Sequence, residues 1–237
     1  MCSSAKISKG NTMGFIPARG GSKSIKLKNL SKVGNRSLIA WVADAAKNSN
    51  AIDDIVCSTD HEDIADEALR LGIKLHNRPP ELAEDKTHIK DVLFDYVVKL
   101  IEEHKTIPEF ICLLQPTSPF IQPSDIDTCV RLLLDAPEAD SAQTICEVPH
   151  NLHAYNQRFL DEKYVDFFFK EERQVAYNKQ KKPKLYSFGN LVITRSLSII
   201  QGSDCFGDKS IHHIIHPDFC VDVDTLQDLQ YLQKKYA

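Results

Sequence analysis

FIPARGGSKSIKLKNL, residues 15–30, decides how the rest of the chain is read. A short apolar run of Phe and Ile suits a buried parallel strand. It breaks at Gly20-Gly21, where the backbone can turn tightly and approach a ligand closely. Arg19, Lys23, Lys26 and Lys28 then crowd four cations into ten residues. Polyphosphate oxygens want backbone N–H groups and cationic side chains together, so a strand ending in this turn reads as a nucleotide site. The same residues also admit a plainer reading, a basic surface loop after the first strand. Neither common phosphate fingerprint applies. Ser22 stands before Lys23 where the Walker pattern needs Gly, and the third spaced glycine of the dinucleotide pattern is missing.

Outward from this stretch, strand and helix patterns alternate. Thr12 to Ala18, Asp54 to Ser58, Phe110 to Leu114 and Ser141 to Val148 read as strands. Helix faces fall at Leu38, Ile39, Val42, Ala45 and Ala46, at Ile64, Ala65, Ala68 and Leu69, and most clearly at Ile89, Val92, Leu93, Tyr96, Val97, Leu100 and Ile101. This order predicts an α/β fold, a mostly parallel sheet with helices on both faces. Further strands are expected at Leu191 to Thr194, Ile211 to Ile215 and Phe219 to Val223, then a last helix through Leu226, Leu229, Leu232 and Tyr236. Residues 1–11 read as a loose polar tail, and residues 12–237 as one domain. Between about 150 and 186 the regularity fails in a charged, aromatic segment, read as an arm that packs on something else.

With 237 residues the chain can bury a large core without staples. A net charge of −4 argues against general nucleic-acid binding and makes the basic clusters local features. Seven cysteines, with no CxxC spacing, read as buried free thiols in a reducing compartment. No apolar run approaches membrane-span length, so a cytoplasmic protein away from membranes is expected.

Other polar clusters follow candidate strands, where open α/β sheets bind ligands. Asp222 and Asp224 in VDVDT point to one side if extended, and could anchor Mg²⁺ or Mn²⁺ beside phosphates. Asp224 also reads as an N-cap with Gln227 as its capping-box partner. LLQPTSP, 113–119, offers Gln115, Thr117 and Ser118 either to a hydroxyl-rich ligand or to its own turn. His212, His213, His216 and Cys220 have zinc-type side chains, but two of them fall on opposite strand faces, which favours structural histidines. KQKKPK, 179–184, reads as an import address, an anion clamp or a solvated run.

IPARGGSKSIKLKN, STD at 58–60, RPPELAED at 78–85, LLQPTSP and DVDTLQDL at 222–229 together resemble the acylneuraminate cytidylyltransferases, over about Met13 to Tyr231. The resemblance implies a Rossmann-like nucleotidyltransferase fold and attack of a nonulosonic acid's anomeric hydroxyl on the α-phosphate of CTP. It implies that Arg19, Ser22, Lys23, Lys28 and Asn29 hold the nucleotide, with Lys28 and Arg19 catalytic. Arg78 would lie near cytosine, Gln115 would bind the sugar acid with Thr117 and Ser118 beside it, and Asp222 and Asp224 would hold the metal. The 150–186 arm would form a homodimer through Phe167 to Phe169 and carry Lys179 to the partner's sugar. Where the family commonly has arginine this chain has Lys179, and Gly189-Asn190 replaces a usual Asn-Gly. Other readings are a nucleotidyltransferase acting on another sugar or sugar phosphate, and a nucleotide-binding dimer without catalysis.

Overall fold

Strict alternation along the central strands splits the interior into two apolar layers. On one strand Met13 and Phe15 join one layer while Ile16 and Ala18 join the other. Ile111 and Leu113 alternate in the same way with Phe110, Cys112 and Leu114. The computed structural model describes residues 6–236. In chain order it runs β1 (Lys6–Pro17), a small ribbon of β2 (Lys32–Val33) and β3 (Arg36–Ser37), α1 (Leu38–Lys47), β4 (Asp54–Thr59), α2 (Glu62–Arg70), β5 (Lys74–Asn77), α3 (Ile89–His104) and β6 (Thr106–Leu113). There follow α4 (Pro123–Asp135), β7 (Ser141–Glu147), a hairpin of β8 (Arg158–Asp161) and β9 (Tyr164–Phe167), α5 (Lys170–Val175), β10 (Tyr186–Arg195), α6 (Ser196–Ile200), β11 (Ser210–Ile214) and α7 (Leu226–Lys235).

Seven strands form one sheet in the order β11-β7-β10-β6-β1-β4-β5. All neighbours are parallel except β10, which lies antiparallel between β6 and β7. Helices α1, α2 and α4 cover one face through residues such as Val42, Ile64 and Leu133, while α3 and α6 cover the other through Leu93, Val97 and Ile199. The expected two-faced α/β sheet is therefore present. From β1 the chain first runs outward through β4 and β5, then returns across the sheet to β6 on β1's other side. That reversal opens a crevice beyond the carboxyl ends of β1 and β6.

Three expectations need correction. Residues 6–11, expected in the loose tail, belong to β1, and Gly10 at φ 75° sits in a register shift between Ser8 and Thr12. The polar, irregular half of that strand hid it from a periodicity reading; residues 1–5 lie outside the described residues. Phe219 to Val223, expected as a strand, is a 3-10 turn at Pro217–Phe219 followed by irregular chain. Its apolar residues are buried not by a sheet but by a third cluster, where Phe219, Val221 and Val223 pack with Ile25, Val33, Leu38, Phe120, Leu229 and Leu232. Finally, the arm is not irregular throughout, since it contains the β8–β9 hairpin.

Candidate active site

That third cluster explains why the polar segments meet. Ile25 comes from the loop after β1, Phe120 from the turn after β6, and Val223 from the VDVDT loop, so one apolar knot fastens the ends of all three. Val223 N–H donates to the Thr117 carbonyl at 2.8 Å, tying the last loop to the LLQPTSP turn. Lys28 Nζ, whose side chain is only 14% exposed, donates to the Val223 carbonyl at 2.9 Å and lies 3.5 Å from the Asp224 carboxylate. The resulting cleft, about 380 Å³, is lined by Arg19, Gly21, Ser22, Lys28, Asn29, Arg78, Gln115, Thr117, Asp222 and Asp224 among others.

The loop after β1 is held in an unusual shape. Leu27 is left-handed at φ 47°, a conformation costly for a bulky side chain, and it turns the chain into the short 3-10 segment Lys28–Leu30. Asn29 is buried and its amide donates to the Arg19 carbonyl at 2.9 Å, closing the loop on itself. Gly20 is needed for close approach to protein rather than for a turn. A Cβ there would come within 2.5 Å of the His61 ring, while Gly20 N–H donates to Asp60 at 2.9 Å. Gly21 has open space above it and borders the cleft.

Opposite stands the segment after β5. Arg78 is 7% exposed, with Nε donating to Ser58 Oγ at 3.1 Å and Nη2 to the Ser58 carbonyl at 2.9 Å. Burial pushes its pKa below the ordinary value, opposed by the Asp60 charge. Asp85 pairs with both Arg19, at 2.9 Å, and Lys23, at 2.5 Å. The Lys23 hydrogen bond is the foremost reason its carboxyl titrates below the usual range. The RPPELAED motif was visible in the sequence, yet nothing in the spacing of Asp85 revealed that it would cross to these two cations.

At the carboxylate pair the geometry removes the bland reading of Asp224. The cap of α7 is Thr225, with Asp228 completing a capping box, so Asp224 and Gln227 are not the capping pair. Partial burial raises the Asp222 carboxyl; the Thr117 hydroxyl and Lys28 oppose this, and the charge of Asp224 reinforces it. Two carboxylates close enough to repel, open to the cleft and backed by one lysine, form a hard oxygen donor set that fits Mg²⁺, which needs only one or two carboxylates besides phosphate and water.

Not every expected residue lines the cleft. Lys23 sits at the rim, 84% exposed, and reaches the site only through Asp85. Ser118 is buried in its own turn, its N–H donating to the Gln115 carbonyl at 2.9 Å. Lys179 lines a different depression, about 1080 Å³, with His150, His153, Lys182, Lys184 and His216. His213 pairs with Asp125 on α4 at 3.1 Å. Leu82, Glu84, Thr87, Ile89 and Val92 complete the cleft wall.

Comparison with known proteins identifies the family. A family model described as cytidylyltransferase matches residues 13–201. The chain belongs to the cytidylyltransferase family. N-acylneuraminate cytidylyltransferase A of Danio rerio is 39% identical over 119 residues, which are 50% of this chain and 26% of that protein. Pseudaminic acid cytidylyltransferase of Campylobacter jejuni is 25% identical over 224 residues, 94% of each chain. The chain spans about a quarter of the length of the Danio rerio relative and nearly all of the Campylobacter one. Among solved structures, a CMP:2-keto-3-deoxy-manno-octonic acid synthetase complexed with CTP has a TM-score of 0.69 at 16% identity, covering 95% of this chain and 98% of its own. That likeness establishes the Rossmann-like nucleotidyltransferase fold. In this cytidylyltransferase no described helix is long and apolar enough to cross a membrane. Cys57, Cys112, Cys129, Cys146 and Cys205 are buried free thiols, Cys220 is half-buried and free, and Cys2 lies outside the described residues.

Proposed function

We propose that this cytidylyltransferase transfers CMP from CTP to the anomeric hydroxyl of a nonulosonic acid, releasing pyrophosphate. The observation that carries the reading is the cleft itself, where the cations Arg19 and Arg78 and the carboxylates Asp222 and Asp224, with Lys28 beside Asp224, line one crevice at the ends of β1 and β6. Relatives named for N-acylneuraminate and pseudaminic acid support the sugar class.

In this reading Lys28, almost fully enclosed, stands beside the phosphate under attack and offsets the charge that develops as the new P–O bond forms. Arg19 leaves Asp85 for the outer phosphates and stabilises pyrophosphate as it departs. Ser22 and the Gly21 backbone border the same path. Gln115 and Thr117 orient the sugar acid from the β6 side. Asp222 and Asp224 would hold a magnesium or manganese ion, which would supply further neutralisation of phosphate charge. Substrates this anionic need such a site, because the carboxylates alone would repel them.

The arm supports a homodimer. Leu160, Tyr164, Val165 and Phe168 are each at least 60% exposed on and beside the β8–β9 hairpin, and Lys179 belongs to this outer region. Phe167, expected at the interface, is half-buried, with the guanidinium carbons of Arg158 and Arg173 4.4 and 4.1 Å from its ring centre. The free thiols support a reaction in the cytoplasm.

The test is pyrophosphate release from each of four nucleoside triphosphates, with magnesium, against N-acetylneuraminic, legionaminic and pseudaminic acids. Release with CTP and one sugar acid is expected. Binding of CTP without release across the panel would leave the substrate reading wrong, and Asp222→Ala with undiminished turnover would remove the metal role.

A further inference from the structure

Arg78 is a buried cation with no carboxylate within ion-pair distance among the described residues. Its partners are two oxygens of a single residue: Nε on Ser58 Oγ and Nη2 on the Ser58 carbonyl. Its backbone N–H also donates to the neighbouring Thr59 carbonyl at 2.9 Å. Two bonds from one planar group to one residue fix the plane, as a bidentate pair does. Nη1 has no acceptor among the described residues, and Arg78 lines the cleft. A desolvated guanidinium with spare donors lacks only an acceptor from a ligand.

Ser58 is itself held from behind. It is fully buried on β4, and its Oγ lies 3.0 Å from His76 Nδ1 on β5. His76, also buried, is set between the rings of Phe15 and Tyr96, whose centroids lie 6.5 and 5.2 Å from its own. Its Nε2 lies 3.2 Å from Lys99 Nζ and 3.0 Å from an Asp95 oxygen, both on α3. Burial, with Lys99 beside it, holds the imidazole pKa below its ordinary value. A line of polar contacts thus runs from α3 through His76 and Ser58 to the guanidinium. An apolar filling would avoid the desolvation cost of this line. Packing alone therefore does not account for an imidazole and a hydroxyl aligned behind Arg78.

We propose that Ser58 and His76 are positioning residues for nucleotide selection: by fixing the plane of the Arg78 guanidinium, they set which base edge the cleft accepts. Cytosine presents two adjacent acceptors, O2 and N3, whereas uracil replaces N3 with an N–H donor. A guanidinium offers donors only. Held in one plane it meets both cytosine acceptors and opposes the uracil N3–H; free to swing, it settles for O2, which both bases share. The inference rests on the CTP reading and assigns the origin of its selectivity.

The experiment measures binding of CTP and UTP by calorimetry without sugar, and kcat and KM for both with it. The proteins compared are the full chain, Ser58→Ala, His76→Leu and His76→Asn, whose amide can keep the bond to Ser58. Ser58→Ala and His76→Leu are expected to lower the CTP-to-UTP preference about tenfold, mainly through KM for CTP. His76→Asn is expected to keep most of it. Should Ser58→Ala fail to fold, the His76 pair decides. An unchanged preference in His76→Leu, or equal loss in His76→Leu and His76→Asn, overturns the proposal. A full chain that binds CTP over UTP but releases no pyrophosphate refutes the proposed reaction and leaves this inference standing on the binding data. A full chain that binds both equally refutes the inference whatever the turnover.

Discussion

The cleft and the arm are built in opposite ways. The cleft is assembled from segments far apart in sequence: Lys28 bonds to Val223, and Ile25, Phe120 and Val223 share one apolar knot. The arm is tied to itself. Phe168 N–H bonds to the Gln157 carbonyl, Arg158 and Arg173 flank Phe167, and Tyr155 lies against Phe169 with ring centres 5.9 Å apart. Long-range closure leaves the cleft's apolar anchors covered and its polar groups open. Local closure leaves the arm's apolar residues showing, with Leu160 82% exposed. A region held by its neighbours in sequence can present an apolar face to a partner without endangering the core.

The sharpest way to break this comparison is a pair of truncations. Phe15→Ala, in a fully buried site on the interior strand β1, is expected to lower unfolding free energy by about 3–5 kcal/mol, whereas Leu160→Ala should change it by no more than about 0.5 kcal/mol. Denaturant titration of both variants gives the answer, and equal losses would erase the distinction. Within the cleft, Lys28→Met is expected to reduce turnover by roughly 10²–10³-fold while circular dichroism stays unchanged; a variant that melts early instead would recast Lys28 as a fastener for Val223. In the arm, Leu160→Asp with Val165→Asp is expected to shift light-scattering mass from dimer to monomer without altering the far-ultraviolet spectrum. A monomer at every concentration in the unaltered chain would end the interface reading.

Smaller effects sharpen the contrast. Asp127 on α4 accepts from the Ser49 hydroxyl at 2.5 Å and from the Asn50 and Ala51 backbone at 2.9 and 3.1 Å. Burial would raise its carboxyl, but these bonds outweigh it and the pKa is lowered. A lowered carboxylate contributes stability that is present above its unfolded value near 4 and lost as pH falls through the folded one. Asp127→Asn should therefore cost about 1–2 kcal/mol at pH 7, and the gap to the parent should narrow by pH 3. Least of all, Asp85→Asn frees Arg19 and Lys23 and should tighten CTP binding by roughly two- to fivefold; weaker binding would mean that Asp85 orders the loop rather than competing with phosphate.

Legibility followed the same divide. Periodicity is legible on α3, where Val92, Leu93, Tyr96 and Val97 are buried as their spacing requires, but the same spacing fails at Leu69 on α2 and Leu226 on α7, which are expected on the covered faces and are exposed. The Lys6 half of β1 is not legible in the sequence because a bulge at Gly10 breaks its alternation. Phe219 to Val223 reads as a strand because an apolar run looks alike whether a sheet or a side cluster covers it. Asp222 and Asp224 were legible as a pair. The release of Asp224 from capping was not, since Thr225-Asp228 and Asp224-Gln227 offer the same local signal one residue apart.

By itself the sequence determined the layered α/β sheet and the motifs that border the cleft, because both depend on side-chain type at short spacing. Tertiary structure alone decided that Asp85 would hold Arg19 and Lys23, that Lys179 would line another depression, and that Ser58 would stand behind Arg78. Such pairings are set by which segments a common core draws together, and nothing in local spacing encodes a contact between segments separated by 20 residues or more.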